Sequence, residues 1–170
     1  MPPGAEEAFD PLPALERFAA AGVDFVVIGA VAGGAHGSAF TTFDLDLAYS
    51  READNLERIA GVLRALDARL RGAPEDVPFP LDAQTLAAGA NFTFATSVGS
   101  VDLLGDLPGS PPYEQLRRAA TIIDVRGHDV RVASLDHLIA MKEAAGRTKD
   151  KAMATEYRIL SDEIRAPRDG

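Results

Sequence analysis

The chain has 170 residues, 46% of them hydrophobic and 25% charged, which is the composition of an ordinary globular domain with one buried core. Its 26 acidic and 17 basic residues give a net charge of −9, which disfavours general nucleic-acid binding because phosphate backbones are also negative. No cysteine is present, so disulfide bonds and thiolate metal sites are excluded.

The two ends of the sequence carry no targeting pattern. The first ten residues, MPPGAEEAFD, are acidic and lack the basic and apolar parts of a signal peptide. No apolar run is long enough to span a membrane. We therefore expect a cytoplasmic protein with no membrane partner, folded as a single domain over 1–170, with loose termini at 1–10 and 166–170.

Periodicity and turn residues predict five elements in the first 70 residues. In chain order they are a helix at about 12–21, a buried strand at 25–28, a tight helical turn or a Gly-rich loop at 30–36, a strand at 43–49 and an amphipathic helix from 56 to 70. The helix and strand patterns alternate, which indicates a mixed α/β domain.

The remaining 100 residues predict more strands and three further helices. In order they are a loop with a short helical piece at 72–89, paired strands at 91–96 and 100–104, a turn at 108–112, a short helix at 114–120, a hairpin of 121–125 and 129–133, a helix from 134 to 145 and a last helix at 149–164. The predicted fold class is α/β (α+β), with a small antiparallel or mixed sheet flanked by helices.

Two aspartates on the predicted strand 43–49 form a candidate metal site. Asp44 and Asp46 are two residues apart, so their side chains leave the same face of the strand. Carboxylates this close repel one another unless a cation lies between them, and Mg²⁺ prefers hard oxygen ligands. The alternative is a solvent-facing pair on a half-exposed strand.

A third aspartate lies in a strand that otherwise looks buried. Asp102 follows Val101 and precedes two leucines. An unpaired carboxylate in such a place costs several kcal/mol, so we expect a metal, a basic partner or a strand-end position facing water.

Lys142 interrupts the apolar stripe of the predicted helix 134–145. Such a lysine either extends to the surface or meets an anion, which would be a nucleotide phosphate or a core-facing aspartate. The basic cluster that follows at 146–151 has two explanations, an anion site or a solvated helix junction.

Gly29 ends the first strand and is followed by small residues. A glycine there allows the backbone to approach a phosphate closely, although glycine also serves simply to turn the chain.

Three segments together resemble the small bacterial nucleotidyltransferases of the polymerase-β superfamily, most closely the abortive-infection type toxins. They are IGAVAGGAHGSAFTTFDLDL, NFTFATSVGSVDLLG and VASLDHLIAMKEAAGRTKD, and the likeness covers about residues 12–165. The resemblance implies a nucleotidyltransferase fold and an enzyme, dependent on Mg²⁺ or Mn²⁺, that moves a nucleoside monophosphate from an NTP such as ATP. The acceptor would be an RNA end such as that of tRNA, a protein hydroxyl or a small molecule.

The resemblance also implies roles for individual residues. Asp44 and Asp46 match the paired metal-binding aspartates, and Asp102 matches the third carboxylate, which helps to bind the metal or activates the acceptor. Lys142 matches a lysine expected near the phosphates. These four residues are the expected catalytic set.

Five more residues match positions expected to bind the nucleotide. They are Gly29, Ala30, Thr42, Lys149 and Asp150. Ala30 departs from the family pattern, which usually has two glycines after the first strand.

Phe40 is the more serious departure, because relatives commonly carry an arginine there. A lost charge-assisted hydrogen bond typically costs about 1.5 to 3 kcal/mol, which weakens nucleotide binding without abolishing it. The alternative function is therefore a binding module of the same fold with weakened catalysis, acting as a regulatory or toxin–antitoxin partner.

Overall fold

A seven-stranded mixed sheet forms the centre of the protein, in a computed structural model that describes residues 9–167. The strands are β1 (Phe25–Ile28), β2 (Asp44–Tyr49), β3 (Arg69–Leu70), β4 (Asn91–Thr96), β5 (Gly99–Leu104), β6 (Thr121–Val125) and β7 (His128–Val132). Their order across the sheet is β3-β4-β5-β2-β1-β7-β6. The central strand β2 runs antiparallel to β1 and parallel to β5.

Seven helices accompany the sheet in the described part of the chain. They are α1 (Leu12–Ala20), α2 (Gly29–Ala35), α3 (Ala53–Ala65), α4 (Ala83–Ala88), α5 (Tyr113–Ala119), α6 (Leu135–Ala145) and α7 (Thr148–Arg165). The short helix α2 packs on β1, β2 and α6, and α6 pairs with α7. Between residues 9 and 167, no helix has the length and apolar character needed to cross a membrane.

The buried core lies along the apolar strands and the helix faces that cover them. Leu45 and Leu47 of β2 are fully buried, as are Val101 and Leu103 of the neighbouring β5. Since side chains alternate along a strand, the residues between these apolar positions face the opposite side of the sheet. The predicted fold class, a mixed sheet flanked by helices, is confirmed.

The predicted helix 56–70 is wrong at its C-terminal end, because α3 stops at Ala65. Asp67 adopts a left-handed conformation, with φ of 51°, and the amide of Ala68 donates to the carbonyl of Leu63. This reversal turns the chain away from the helix axis. Leu70 therefore belongs to the edge strand β3 and not to the apolar stripe of the helix.

Smaller differences concern the ends of elements. The segment 30–36 proves to be helical, as α2. Strand β2 begins at Asp44, and Phe43, which was predicted inside the strand, is 62% exposed. The loose termini predicted at 1–10 and 166–170 lie mostly outside the described residues.

Candidate active site

Neighbouring strands bring the three predicted aspartates to one face of the sheet. Asp46 of β2 lies directly opposite Asp102 in the parallel pairing with β5. Residues opposite one another in a sheet project to the same face, and Asp44 shares that face with Asp46 because the two are two residues apart. Their roles as metal ligands stay a prediction.

The carboxyl group of Asp46 has a strongly raised pKa. Burial, followed by the negative charges of Asp102 and Asp44, raises the pKa of Asp46 from its ordinary value of 3.8 to about 7. A hydrogen bond with Asp102 also favours the protonated form, and Lys142 opposes the shift. Burial likewise raises the pKa of Asp102, although Arg71 counteracts this rise. Burial and mutual repulsion therefore both oppose full ionisation of the cluster.

Arg71 is the member of this site that the sequence did not reveal. Its Nη1 donates to Oδ1 of Asp44 at 2.7 Å, and its Nη2 donates to Oδ1 of Asp102 at 2.6 Å. The residue follows a two-residue edge strand and precedes a proline-containing loop, so no periodic pattern singled it out. The only sequence signal is an arginine beside the apolar Leu70.

Gly29 allows the close approach between α2 and Asp46. A Cβ atom at position 29 would lie 2.2 Å from Oδ2 of Asp46, and φ of Gly29 is +68°. Both the space and the left-handed backbone therefore require glycine. Gly29 thus contacts the acidic cluster, whereas Ala30 lies on the other side of α2, beside an apolar cavity.

Thr42 orders the backbone before β2 through its hydroxyl group. Its Oγ1 donates to the carbonyl of Asp44 at 3.1 Å and accepts from the amide of Asp44 at 3.2 Å. These bonds hold the start of the strand, so Thr42 positions an aspartate. Direct nucleotide binding by Thr42 stays a prediction.

Phe40 occupies an apolar environment in place of the expected arginine. It lines a cavity of about 610 Å³ together with Leu15, Val31 and Ile123. A charged guanidinium would lose hydration among these side chains without gaining a partner from them. The phenylalanine is therefore consistent with its surroundings.

Lys142 meets the core-facing aspartate that was one of the two anions considered for it. Its Nζ lies 3.3 Å from Oδ1 of Asp150, whose side chain is only 2% exposed. Arg147 adds its Nε at 2.7 Å from Oδ2 and its backbone amide at 3.3 Å. These donors lower the pKa of Asp150, the side chain of Arg147 contributing most. Asp150 therefore anchors α6 to α7, while Lys149 beside it is exposed.

A cavity of about 220 Å³ lies between Asp46 and the ion-paired group of Lys142, Arg147 and Asp150, all of which line it. Its polar lining includes Asp46 and Lys142, with Gly29 between the strand and α2. Its apolar lining includes Leu107 and Met141. A cationic group and a carboxylate facing one apolar cavity can bind a ligand that has both an anionic part and a flat apolar part.

The oxygen chemistry of the three carboxylates fits a hard divalent cation, which would also offset their mutual repulsion. The present arrangement is not yet a metal site. Within residues 9–167, no three His, Cys, Asp or Glu side chains are grouped so as to hold a metal ion. Arg71 engages one oxygen of Asp44 and one of Asp102.

Solved structures with the same arrangement of helices and strands identify the fold. The antibiotic-resistance factor ANT(2'')-Ia superposes with a TM-score of 0.51 at 13% identity, covering 91% of this chain and 90% of its own. A Thermotoga maritima protein described as a candidate nucleotidyltransferase gives 0.52 at 14% identity, covering 94% and 99%. An antigenic nucleotidyltransferase-like protein of Paracoccidioides brasiliensis gives 0.51 at 15% identity, covering 92% and 75%.

The chain has the nucleotidyltransferase fold. No protein-family model matches this sequence, and neither does any curated protein. None of the three structures is described as an abortive-infection toxin, so that finer part of the resemblance stays a prediction.

Proposed function

We propose that the protein is a nucleotidyltransferase that moves a nucleoside monophosphate from an NTP to an acceptor hydroxyl. One observation carries this proposal. In a chain with the nucleotidyltransferase fold, Asp44, Asp46 and Asp102 meet on one face of the sheet, and Asp46 lines the same cavity as Lys142. An acidic cluster beside a cation and an apolar cavity is what binding of a metal-complexed nucleotide requires.

Different side chains of this cavity would bind the triphosphate and the base of the nucleotide. Lys142 is 18% exposed and retains donors beyond its bond to Asp150, so it would bind the triphosphate. Leu107 and Met141 offer apolar contacts to a base. The volume of about 220 Å³ suits a base, and the triphosphate would extend towards the carboxylates.

The carboxylates would act on the phosphates and on the acceptor. A divalent cation, Mg²⁺ or Mn²⁺, held by Asp44, Asp46 and Asp102 would neutralise charge on the phosphates. The acceptor oxygen attacks the α-phosphorus, the bond from this phosphorus to the bridging oxygen breaks, and pyrophosphate leaves with the electron pair. A carboxylate oxygen of Asp102 would accept the proton of the acceptor hydroxyl, so that the attacking oxygen is activated.

The acceptor class follows from the charge of the protein. With a net charge of −9, long-range attraction of RNA is disfavoured, so we propose a protein hydroxyl or a small molecule ahead of an RNA end. A partner protein that supplies the hydroxyl would agree with the implied toxin–antitoxin setting.

Label transfer tests this proposal directly. The full chain is incubated with each α-³²P-labelled NTP and Mg²⁺ or Mn²⁺, and both pyrophosphate release and label on protein or added acceptors are measured. We expect metal-dependent release that Asp46→Asn lowers by at least about 1000-fold, or roughly 4 kcal/mol of transition-state stabilisation. Arg69→Gln, an exposed change nearby, is the control. Release that Asp46→Asn does not reduce would contradict the proposal.

A second candidate function is a nucleotide-binding module without turnover. The ion pairs that Arg71 makes with Asp44 and Asp102 favour it, because they hold the carboxylates in a metal-free arrangement. A fluorescent NTP analogue that binds with micromolar affinity, while no NTP releases pyrophosphate, would identify this function.

A further inference from the structure

Arg71, just after β3, lies at the end of a row of paired residues that continues across β4, β5 and β2 to the three aspartates. Its backbone amide donates to the carbonyl of Thr93 at 2.9 Å, which extends the pairing of β3 with β4 by one residue. Thr93 lies opposite Asp102 on β5, and Asp102 lies opposite Asp46 on β2. The sheet register therefore places Arg71 two strands away from Asp102, within reach of its side chain.

The guanidinium spans two carboxylates that belong to different strands. The distances of 2.7 Å to Asp44 and 2.6 Å to Asp102 are those of charge-assisted hydrogen bonds. Each bond uses Oδ1 of its aspartate. The planar fork of arginine suits this bridging, which a single ammonium group would not reproduce.

We propose that Arg71 is an internal cation that occupies the position of a divalent metal between Asp44 and Asp102, and that the metal must displace it. The inference rests on the proposed function, in which these carboxylates hold Mg²⁺ or Mn²⁺. Asp44 and Asp102 would hold the metal with the same carboxylates that the guanidinium engages, so the two positive charges would repel strongly. The two cations therefore exclude one another, and Arg71 lowers the affinity of the site for metal.

The surroundings of Arg71 allow this exchange. Its side chain is 31% exposed, and it lies in a turn after the two-residue edge strand β3. The side chain of Asp102 is only 14% exposed, but an incoming divalent cation would take over the charge of the guanidinium there, so no buried carboxylate is left without a partner.

Metal affinity of the nucleotide-free protein tests the proposal. Binding of Mn²⁺ to the full chain is measured by the loss of its free-ion paramagnetic resonance signal and by calorimetry. We expect Arg71→Gln to bind Mn²⁺ at least about tenfold more tightly than the wild type, because the competing cation is gone. Arg69→Gln, two residues earlier on β3 and opposite Ala95, should stay within about twofold of the wild type.

A merely structural role for Arg71 predicts the opposite change. If Arg71 only holds the aspartates in place, Arg71→Gln binds Mn²⁺ equally or more weakly, and the proposal is overturned. It is also overturned if neither protein binds Mn²⁺. Neither of these binding results decides the proposed function, which the label-transfer assay tests separately.

The wild-type protein provides a second measurement in case Arg71→Gln does not fold. The side-chain Nε–H resonance of Arg71, assigned in a ¹⁵N-labelled sample, is followed while Mg²⁺ is added. Displacement predicts a saturable shift of this resonance and faster exchange of its proton with water. A resonance that stays unchanged at saturating Mg²⁺ would overturn the proposal.

Discussion

Two aspartates near Lys142 have opposite electrostatic surroundings. Asp150, at the junction of α6 and α7, receives hydrogen bonds from Arg147 and Lys142, and its pKa is lowered. Asp46, in the sheet, faces Asp102 and Asp44, and its pKa is raised to about 7. The aspartate at the helix junction is thus stabilised in its charged form, whereas burial and neighbouring carboxylates disfavour the charged form of the aspartate in the sheet.

This difference separates a structural ion pair from a candidate reaction site. The charge of Asp150 is neutralised by donors, which stabilises the junction of the two helices, and its role in nucleotide binding stays a prediction. A carboxylate kept beside other carboxylates costs stability and is expected where a cation or a proton is to be bound. The predictions below test whether the two regions differ in this way.

The largest expected effect on stability is at the helix junction. Asp150→Asn leaves Arg147 and Lys142 without their anion, so we expect a loss of about 3 kcal/mol in the free energy of unfolding. Asp46→Asn should leave the protein equally stable or stabilise it, because it removes a repelled charge. Urea unfolding at pH 7.5 without metal measures both, with the exposed Asp162→Asn as control on α7. Equal losses of unfolding free energy in Asp46→Asn and Asp150→Asn would show that the two regions do not differ in this way.

A methyl group at position 29 should disturb the sheet cluster selectively. In Gly29→Ala the added Cβ meets Oδ2 of Asp46, and the left-handed backbone is strained as well. We expect about 2 kcal/mol of lost stability and a strong loss of label transfer. Gly34→Ala in the same helix meets nothing within 4 Å and should be neutral or slightly stabilising. Similar behaviour of the two variants would show that Asp46 needs no close approach from α2.

Asp46 and Asp150 should affect stability in different pH ranges. The pKa of Asp46 is higher in the folded protein than its ordinary value of 3.8, so the folded state retains a proton that the unfolded state releases. The contribution of Asp46 to stability is therefore present below about pH 4 and is lost as pH rises to about 7. The lowered pKa of Asp150 acts only at the acid end, where its contribution is lost as pH falls below about 4.

Unfolding with EDTA present, compared between the wild type and Asp46→Asn, measures this slope. We expect the difference in unfolding free energy to grow in favour of the variant between pH 4.5 and pH 8. Parallel pH profiles for the two proteins would contradict the raised pKa of Asp46.

The smallest expected effect concerns Thr42. Thr42→Val removes both hydroxyl bonds to the backbone of Asp44, which should cost about 1 kcal/mol of stability. Thr41→Val, at an exposed neighbouring position, should change stability by less than about 0.5 kcal/mol. Thermal melts of both variants measure the difference, and equal melting temperatures would remove the positioning role of Thr42.

Much of the fold and the strand position of each carboxylate could be predicted from local patterns, whereas the grouping of the three carboxylates was implied by the family resemblance. The alternation around Asp44 and Asp46 placed both on one strand face, and the apolar neighbours of Asp102 placed it in another strand. The lysine in the apolar stripe of α6 pointed to a buried anion, which is Asp150. These features depend on spacing along one element, which the sequence records directly.

The features that could not be predicted depend on how distant strands pair. Arg71 joins the cluster only because β3 pairs with β4, and a two-residue edge strand has no periodicity to read. The same segment misled the helix prediction, since Leu70 continues the apolar spacing of α3 although the chain reverses at Asp67. Tertiary pairing outweighed local pattern in both cases.

A crystal structure with Mn²⁺ and a non-hydrolysable NTP analogue tests the central claim most directly, because Mn²⁺ is located by its anomalous scattering. The account predicts an anomalous peak in contact with Asp44, Asp46 and Asp102, and a triphosphate between that peak and Lys142. A nucleotide bound away from these residues, with the three carboxylates free of metal at saturating Mn²⁺, would contradict it.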